Sequence, residues 1–76
     1  MKNKDYLNLV TNIRDNIIIS DFNGHDCVCK MRLNDCISMY KSSENETTAE
    51  FYFKEIQRLL TVFNVRLNLE FEDVVK

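Results

Sequence analysis

The residues of this sequence that could carry chemistry are one histidine and three cysteines. His25, Cys27 and Cys29 alternate along the chain, and Cys36 follows a short distance later. Such side chains are zinc ligands or, as a cysteine–histidine pair, a catalytic nucleophile and its base. Structural zinc sites prefer ligand pairs on a tight loop, whereas alternate residues of a strand stand about 6–7 Å apart and do not converge on one ion. We therefore expect small buried thiols and no metal site.

Catalysis by the same residues is also not expected. A cysteine–histidine enzyme needs a pocket, an oriented base and an oxyanion site. A chain of 76 residues with a single glycine leaves little room for them, and it contains no glycine-rich phosphate-binding loop. The sequence therefore predicts a protein that is not an enzyme and that carries no cofactor.

Composition limits the class of protein further. A chain that is 45% apolar and lacks proline predicts one compact domain over residues 1–76, with little disorder. Three cysteines are an odd number, which is unlike the bridged sets of small extracellular domains and favours reduced thiols in the cytoplasm. No apolar run is long enough for a membrane span, and no signal-peptide pattern opens the chain. We expect no membrane partner.

The elements that would hold the cysteines begin with a helix, predicted by the helical spacing of residues 3–14. The β-branched stretch 16–22 predicts a strand. Residues 26–33 alternate between apolar and polar side chains, which is typical of a half-buried strand. Asn23-Gly24 stands between these two strands and is the strongest short-range hairpin signal. The chain therefore predicts a hairpin, extended to a three-stranded meander by a strand at 36–41.

The second half of the chain predicts a polar loop at 42–48 and a helix after it. Thr47 and Glu50 fit a capping box at the start of this helix, which would run to about Asn64. Residues 65–72 alternate cleanly and predict a last strand. The order α-β-β-β-α-β predicts an α+β fold, in which two helices pack on one face of a four-stranded, mostly antiparallel sheet.

The second face of this predicted sheet is the main candidate for partner binding. The register set by Asn23-Gly24 turns three apolar side chains away from the helices. Two more join them if Asn34–Asp35 is a two-residue loop, and face the core if that loop is longer. An exposed apolar patch usually marks an interface. The alternative is a register error that turns Ile17 and Ile19 inward. The five residues are Ile17, Ile19, Val28, Ile37 and Met39.

Two smaller surfaces are further candidates. Phe51 and Val62 lie off the apolar stripe of the second predicted helix, together on one flank. Glu44, Glu46 and Glu50 surround the start of that helix, where carboxylates complement the helix dipole. The same acidic group would suit a basic, nucleic-acid-binding surface on another protein. We therefore include these three glutamates among the predicted partner-binding residues.

Direct binding of nucleic acid is the alternative to binding a protein. Lys30 and Arg32 would share the outer face of the second strand, with Arg66 near them. A net charge of −2 argues against a binder that relies on a general positive field. Nucleic acid is therefore not the expected partner. A small nucleic-acid-binding or regulatory protein that acts as a homodimer remains the alternative.

The predicted layout also resembles a known family. An N-terminal helix, a three-stranded meander and the segment SSENETTAE leading into a helix, over roughly Lys4–Phe63, resemble the small anti-CRISPR inhibitors of phages. The layout is similar in particular to inhibitors that block the type II effector nuclease by occupying its DNA-reading surface. The resemblance implies a phage or mobile-element inhibitor that binds a host nucleic-acid-handling protein in the host cytoplasm. It assigns no individual residue.

Double-stranded RNA-binding domains share the order α-β-β-β-α as well. They carry a lysine-rich start to the second helix, where this chain reads ENETTAE. That acidic segment argues against double-stranded RNA as the ligand.

Overall fold

The computed structural model of the chain describes residues 3–19 and 24–75, the latter without the side chain of Val75. Across these two ranges the chain is helical and contains no strand. It forms four helices: α1 Asn3–Asn16, α2 Gly24–Lys41, α3 Glu46–Val62 and α4 Phe71–Val75. They pack into an elongated body of 39 × 19 × 16 Å. The predicted α+β fold is therefore wrong, because the residues assigned to the meander are largely helical.

The hairpin of α2 and α3 is the centre of the molecule. The short connection of residues 42–45 joins the two helices side by side in opposite directions. α1 packs against α2, and α4 packs against α1 and α3. The four helices share one core, in which Tyr6 of α1 lies 5.6 Å from the ring of Tyr40 and 4.9 Å from the ring of Phe53. The other core residues are Val10, Leu33, Cys36, Ile37, Ile56, Leu59, Leu60 and Val74.

α2 replaces the predicted strands at 26–33 and 36–41 and the turn between them. Its buried residues, Leu33, Cys36, Ile37 and Tyr40, are spaced as one face of a helix. Residues 24–41 also contain only two β-branched side chains, Val28 and Ile37. Residues 26–33 alternate along the sequence, but the helix that they form places Met31 on the surface and Leu33 in the core.

The predicted hairpin turn is also absent. Asn23 lies outside the described residues, but Gly24 is the first residue of α2 and does not have a positive φ. A type I′ turn needs positive φ at both central residues. In the strand predicted at 16–22, Asn16 ends α1 and residues 17–19 leave the helix without pairing to a strand in the described chain. The remaining positions, 20–22, lie outside the described residues.

Two predicted helices are confirmed. α1 covers the predicted stretch 3–14 and continues to Asn16. α3 follows the polar loop as predicted, but its cap is Asn45 instead of Thr47: the Asn45 side-chain oxygen accepts the Thr48 N–H at 2.8 Å. The helix ends in a Schellman motif, since Val65 N–H donates to the Leu60 carbonyl and Asn64 has φ of 62°.

The last predicted strand is an extended segment that has no strand partner in the described chain. Val65, Leu67 and Leu69 are half-buried against the core, while the residues between them are exposed, so the alternation of burial is as predicted. The Gln57 side-chain amide donates to the Leu69 carbonyl at 3.0 Å and ties the segment to α3. α4 follows instead of a frayed end, and its Val74 is fully buried.

Candidate protein-binding face

One side of the α2–α3 hairpin faces away from α1 and α4 over most of its length; at one end, Val62 also lines a groove with Asn12 and Asn16 of α1. On each helix its residues follow the spacing i, i+4, i+7, i+11, which makes one stripe along a helix. The other side of α2 meets α1, as shown by the hydrogen bond of 2.6 Å between the Arg14 guanidinium and the Asn34 side-chain oxygen. We call this side the outer hairpin face: Val28, Arg32, Asp35 and Met39 of α2, with Phe51, Glu55, Arg58 and Val62 of α3.

The ends of the outer hairpin face are apolar and exposed. Near the loop between the helices, Met39 is 48% exposed and Phe51 is 56% exposed. At the opposite end, Val28 is 63% exposed and Val62 is 37% exposed. Single exposed apolar residues are ordinary, whereas here four share one face, in two pairs at its opposite ends.

The middle of the outer hairpin face is charged. Glu55 accepts two hydrogen bonds from Arg58, at 3.0 and 2.9 Å, and lies 3.7 Å from Arg32 on the neighbouring helix. The hydrogen bonds from Arg58 hold the pKa of the Glu55 carboxyl below its usual value. Both arginine side chains remain 60% exposed. The charged centre therefore joins the two helices and also faces solvent.

The five apolar residues assigned to a sheet face do not share one surface. Val28 and Met39 lie on the outer hairpin face, as α2 residues. Ile37 is in the core, and Ile17 is half-buried against it. Ile19 lines a separate groove between α1 and α2 of about 390 Å³, with Cys27, Lys30 and Met31 among its other residues. The predicted grouping depended on the sheet and is lost with it.

The residues of the two smaller predicted surfaces lie where the sequence predicted them, on one flank of α3 and around its start. Phe51 and Val62 are together on one flank of a helix, as their spacing predicted. Glu44 and Glu46 are exposed at the loop end of the hairpin. Glu50 is half-buried and lies 3.9 Å from Lys54. Whether any of them binds a partner stays a prediction.

The cysteines and the histidine are all on α2. Cys29 Sγ lies 3.9 Å from His25 Nε2, one helical turn away. Cys27 projects from a different side of the helix, into the groove beside α1. Cys36 is buried, and burial raises the pKa of its thiol, which disfavours the reactive thiolate. Among residues 3–19 and 24–75 no three metal-ligating side chains come together.

The basic residues considered for nucleic acid do not form one patch. Lys30 and Arg32 are two positions apart on a helix, so they point to different sides of α2. Lys30 donates to the Ile17 carbonyl at 2.9 Å on the α1 side, whereas Arg32 meets α3. Arg66 lines a groove beside Arg58 and Thr61 of α3. The shared outer face predicted for Lys30 and Arg32 is wrong because they are not on a strand.

The charged members of the outer hairpin face were missed by the sequence reading. Arg32 was assigned to a strand, Glu55 and Arg58 were not singled out, and Asp35 was placed in a turn. The signal for them was present: each pair has opposite charges three positions apart, midway between two apolar residues. It can be recognised only when residues 24–41 are treated as one helix.

No protein family matches this chain, and neither the curated proteins nor the solved structures contain a match to it. Of the helices in the described ranges, none has the length and apolar character needed to cross a membrane. The function proposed below therefore depends on the geometry of the outer hairpin face.

Proposed function

We propose that this chain is a small, non-enzymatic protein-binding module that acts through its outer hairpin face. The observation that carries the proposal is the exposure of Val28, Met39, Phe51 and Val62 on one face of two packed helices. Exposed apolar side chains on one face are a common feature of protein interfaces, where aromatic residues, methionine and arginine are enriched. A rigid pair of helices also presents them at little cost in ordering.

The test is capture of partners by matched variants. Tagged wild-type protein, Phe51→Lys and Thr61→Lys are used to capture proteins from an extract of the cells that express the chain. Phe51 is on the outer hairpin face, whereas Thr61 is an exposed residue of α3 that is not on the Phe51–Val62 stripe. A buried aromatic contact is a common anchor of interfaces, so Phe51→Lys should weaken capture by on the order of tenfold or more.

Thr61→Lys adds the same charge to the same helix away from the outer hairpin face and should leave capture unchanged. Equal capture by both variants would contradict the use of the outer hairpin face. Far-UV circular dichroism and thermal unfolding of each variant establish that the fold is retained.

Inhibition of a host nucleic-acid-handling protein, of the anti-CRISPR kind, is a narrower form of this proposal. Its support in the sequence was a layout with a three-stranded meander, which α2 replaces. What remains in its favour is the exposure of Glu44 and Glu46 beside the apolar loop end of the hairpin. Inhibition of target cleavage by a type II effector nuclease, measured with wild-type protein and with Glu44→Lys/Glu46→Lys, tests it directly.

A further inference from the structure

The α2 half of the outer hairpin face is symmetric in residue type about its midpoint. Arg32 lies as far before the point between residues 33 and 34 as Asp35 lies after it, and Val28 and Met39 stand at equal distances farther out. Any helical stripe has even spacing. What distinguishes this stripe is the type of its side chains, which are apolar at both ends and oppositely charged in the centre. Such a stripe is complementary to an antiparallel copy of itself.

The α3 half has the same property, with the charges in reverse order. Glu55 and Arg58 lie at equal distances on either side of the point between residues 56 and 57, with Phe51 and Val62 at the two ends. An antiparallel copy of α3 brings Glu55 to Arg58 and Phe51 to Val62. Both stripes of the face are therefore complementary to themselves in the same antiparallel sense.

We propose that the partner of the outer hairpin face is a second copy of this chain, packed face to face about a two-fold axis. The inference depends on the proposed function, because it uses the same face and names its occupant. In the dimer, α2 crosses α2 of the copy and α3 crosses α3 of the copy. Two-fold symmetry makes every contact occur twice, which suits a face that matches itself.

The charges also favour this arrangement over the two-fold packing that aligns the apolar ends of α2 with those of α3. The alternative places α2 antiparallel on α3 of the copy. When its apolar ends are aligned, Val28 on Val62 and Met39 on Phe51, the centre brings Arg32 to Arg58 and Asp35 to Glu55. The two-fold axis makes each of these like-charge contacts occur twice, which is unfavourable. Packing each helix on its own copy brings opposite charges together throughout.

The relative position of the two stripes along the hairpin determines the angle at which the two hairpins of the dimer cross. Because Arg32 is level with Glu55, the midpoints on α2 and α3 are offset by three residues, which is about 4.5 Å along the hairpin. A two-fold axis through both midpoints is therefore inclined to the helices. The two hairpins cross at an angle instead of lying parallel.

The size of the face predicts a weak dimer. The stripe from Val28 to Met39 covers about 16 Å of helix, and two packed helices are about 20 Å wide. This area is smaller than the ~800 Å² that each partner contributes to a standard stable interface. We expect a dissociation constant on the order of 10 to 100 µM.

The first experiment measures the solution mass by sedimentation equilibrium from about 5 µM to 1 mM, a range chosen around this constant. Wild-type protein should pass from monomer to dimer, and Met39→Lys should weaken association about tenfold or more. Ser38→Lys is the matched control: it is the neighbouring exposed residue on α2 but is not on the outer hairpin face. A wild-type protein that remains monomeric at 1 mM, or a dimer unaffected by Met39→Lys, would overturn the inference.

The second experiment mixes two variants. In the proposed dimer Arg32→Glu places two negative charges together at each α2 contact, and Asp35→Arg places two positive charges together. Each variant alone should associate more weakly than the wild type. A heterodimer of the two restores opposite charges at both contacts, so mixing should give association at least about tenfold tighter than either variant alone.

Fluorescence anisotropy of one variant, labelled at its N-terminal amine and titrated with the other, measures this recovery. No recovery on mixing would contradict the antiparallel pairing of α2 even if the wild type is a dimer.

Failure of this inference is distinguishable from failure of the proposed function. A monomeric wild type whose capture of another protein is lost in Phe51→Lys retains the proposed function and loses the dimer. A monomeric wild type whose capture is the same in Phe51→Lys and Thr61→Lys loses both.

Discussion

α2 and α3 are helices of similar length, packed side by side, yet only one of them could be recognised from the sequence. α3 has a capping signal before it, a broad apolar stripe that becomes buried, and a polar remainder in which Phe51 and Val62 are exceptions. α2 has apolar residues on its core side and also at Val28, Met31 and Met39 on its solvent side. Apolar residues on two sides conceal the helical period and imitate a strand. The property that misleads the sequence reading of α2 also supplies its share of the outer hairpin face.

The largest expected effect separates the two sides of α2. Leu33→Ala removes a fully buried side chain and should lower the free energy of unfolding by about 2–5 kcal/mol. Met31→Ala should lower it by less than about 0.5 kcal/mol, because Met31 is mostly exposed. Urea unfolding followed by circular dichroism measures both. Equal losses would favour the strand, on which Met31 and Leu33 share one face, over the helix.

A medium effect on the free energy of unfolding is expected at the start of α3, where the structure has Asn45 as the cap and the sequence predicts Thr47. Asn45→Ala removes the side-chain oxygen that accepts the Thr48 N–H and should lower the free energy of unfolding by about 1 kcal/mol. Thr47→Ala, one residue inside the helix, is the control and should change it by less than about 0.5 kcal/mol. A larger loss from Thr47→Ala would restore the capping box predicted from the sequence.

The smallest expected effect concerns the charged centre that joins α2 to α3. The pKa of Glu55 is lowered in the folded protein, chiefly by hydrogen bonds from Arg58. Its stabilising contribution is therefore present above the pKa of the unfolded chain and is lost as pH falls through the folded pKa. Glu55→Gln should reduce stability at pH 7 by at most about 1 kcal/mol and should flatten the loss on acidification.

The control for this measurement is Glu50→Gln, which changes a carboxylate that lies beside a single lysine on the same helix. Thermal unfolding from pH 7 to pH 3 compares the two variants with the wild type. An acid dependence that is unaltered in Glu55→Gln would show that Arg32, Glu55 and Arg58 contribute little to holding the hairpin together.

The parts of the fold that could be predicted are those with a local signal. α1 and α3 each combine one apolar stripe with a polar face, and the burial of residues 65–69 alternates as their sequence does. The missing information concerned pairing. Alternation predicts which side chains are buried but not whether a second strand is present, so the last segment is extended without a sheet.

The error at Gly24 has a separate cause. Asn-Gly is a hairpin signal only when two strands flank it, and the residues after it form α2. With residues 26–33 as a strand, the turn predicts a register that places Ile17 and Ile19 on a sheet face, and Ile37 joins them only if Asn34–Asp35 is a two-residue loop. Phe51 and Val62 were located correctly because that inference needed only the helix that contains them.

The three cysteines differ in burial, so their rates of modification report how the folded structure opens. Cys36 lies in the core, where burial raises the pKa of its thiol, whereas Cys27 and Cys29 are only partly covered on the same helix. An alkylating reagent reaches the first only when α2 separates from its neighbours, and it reaches the other two through smaller fluctuations. The order in which the thiols are modified therefore records, without any added probe, how far and how often the molecule opens.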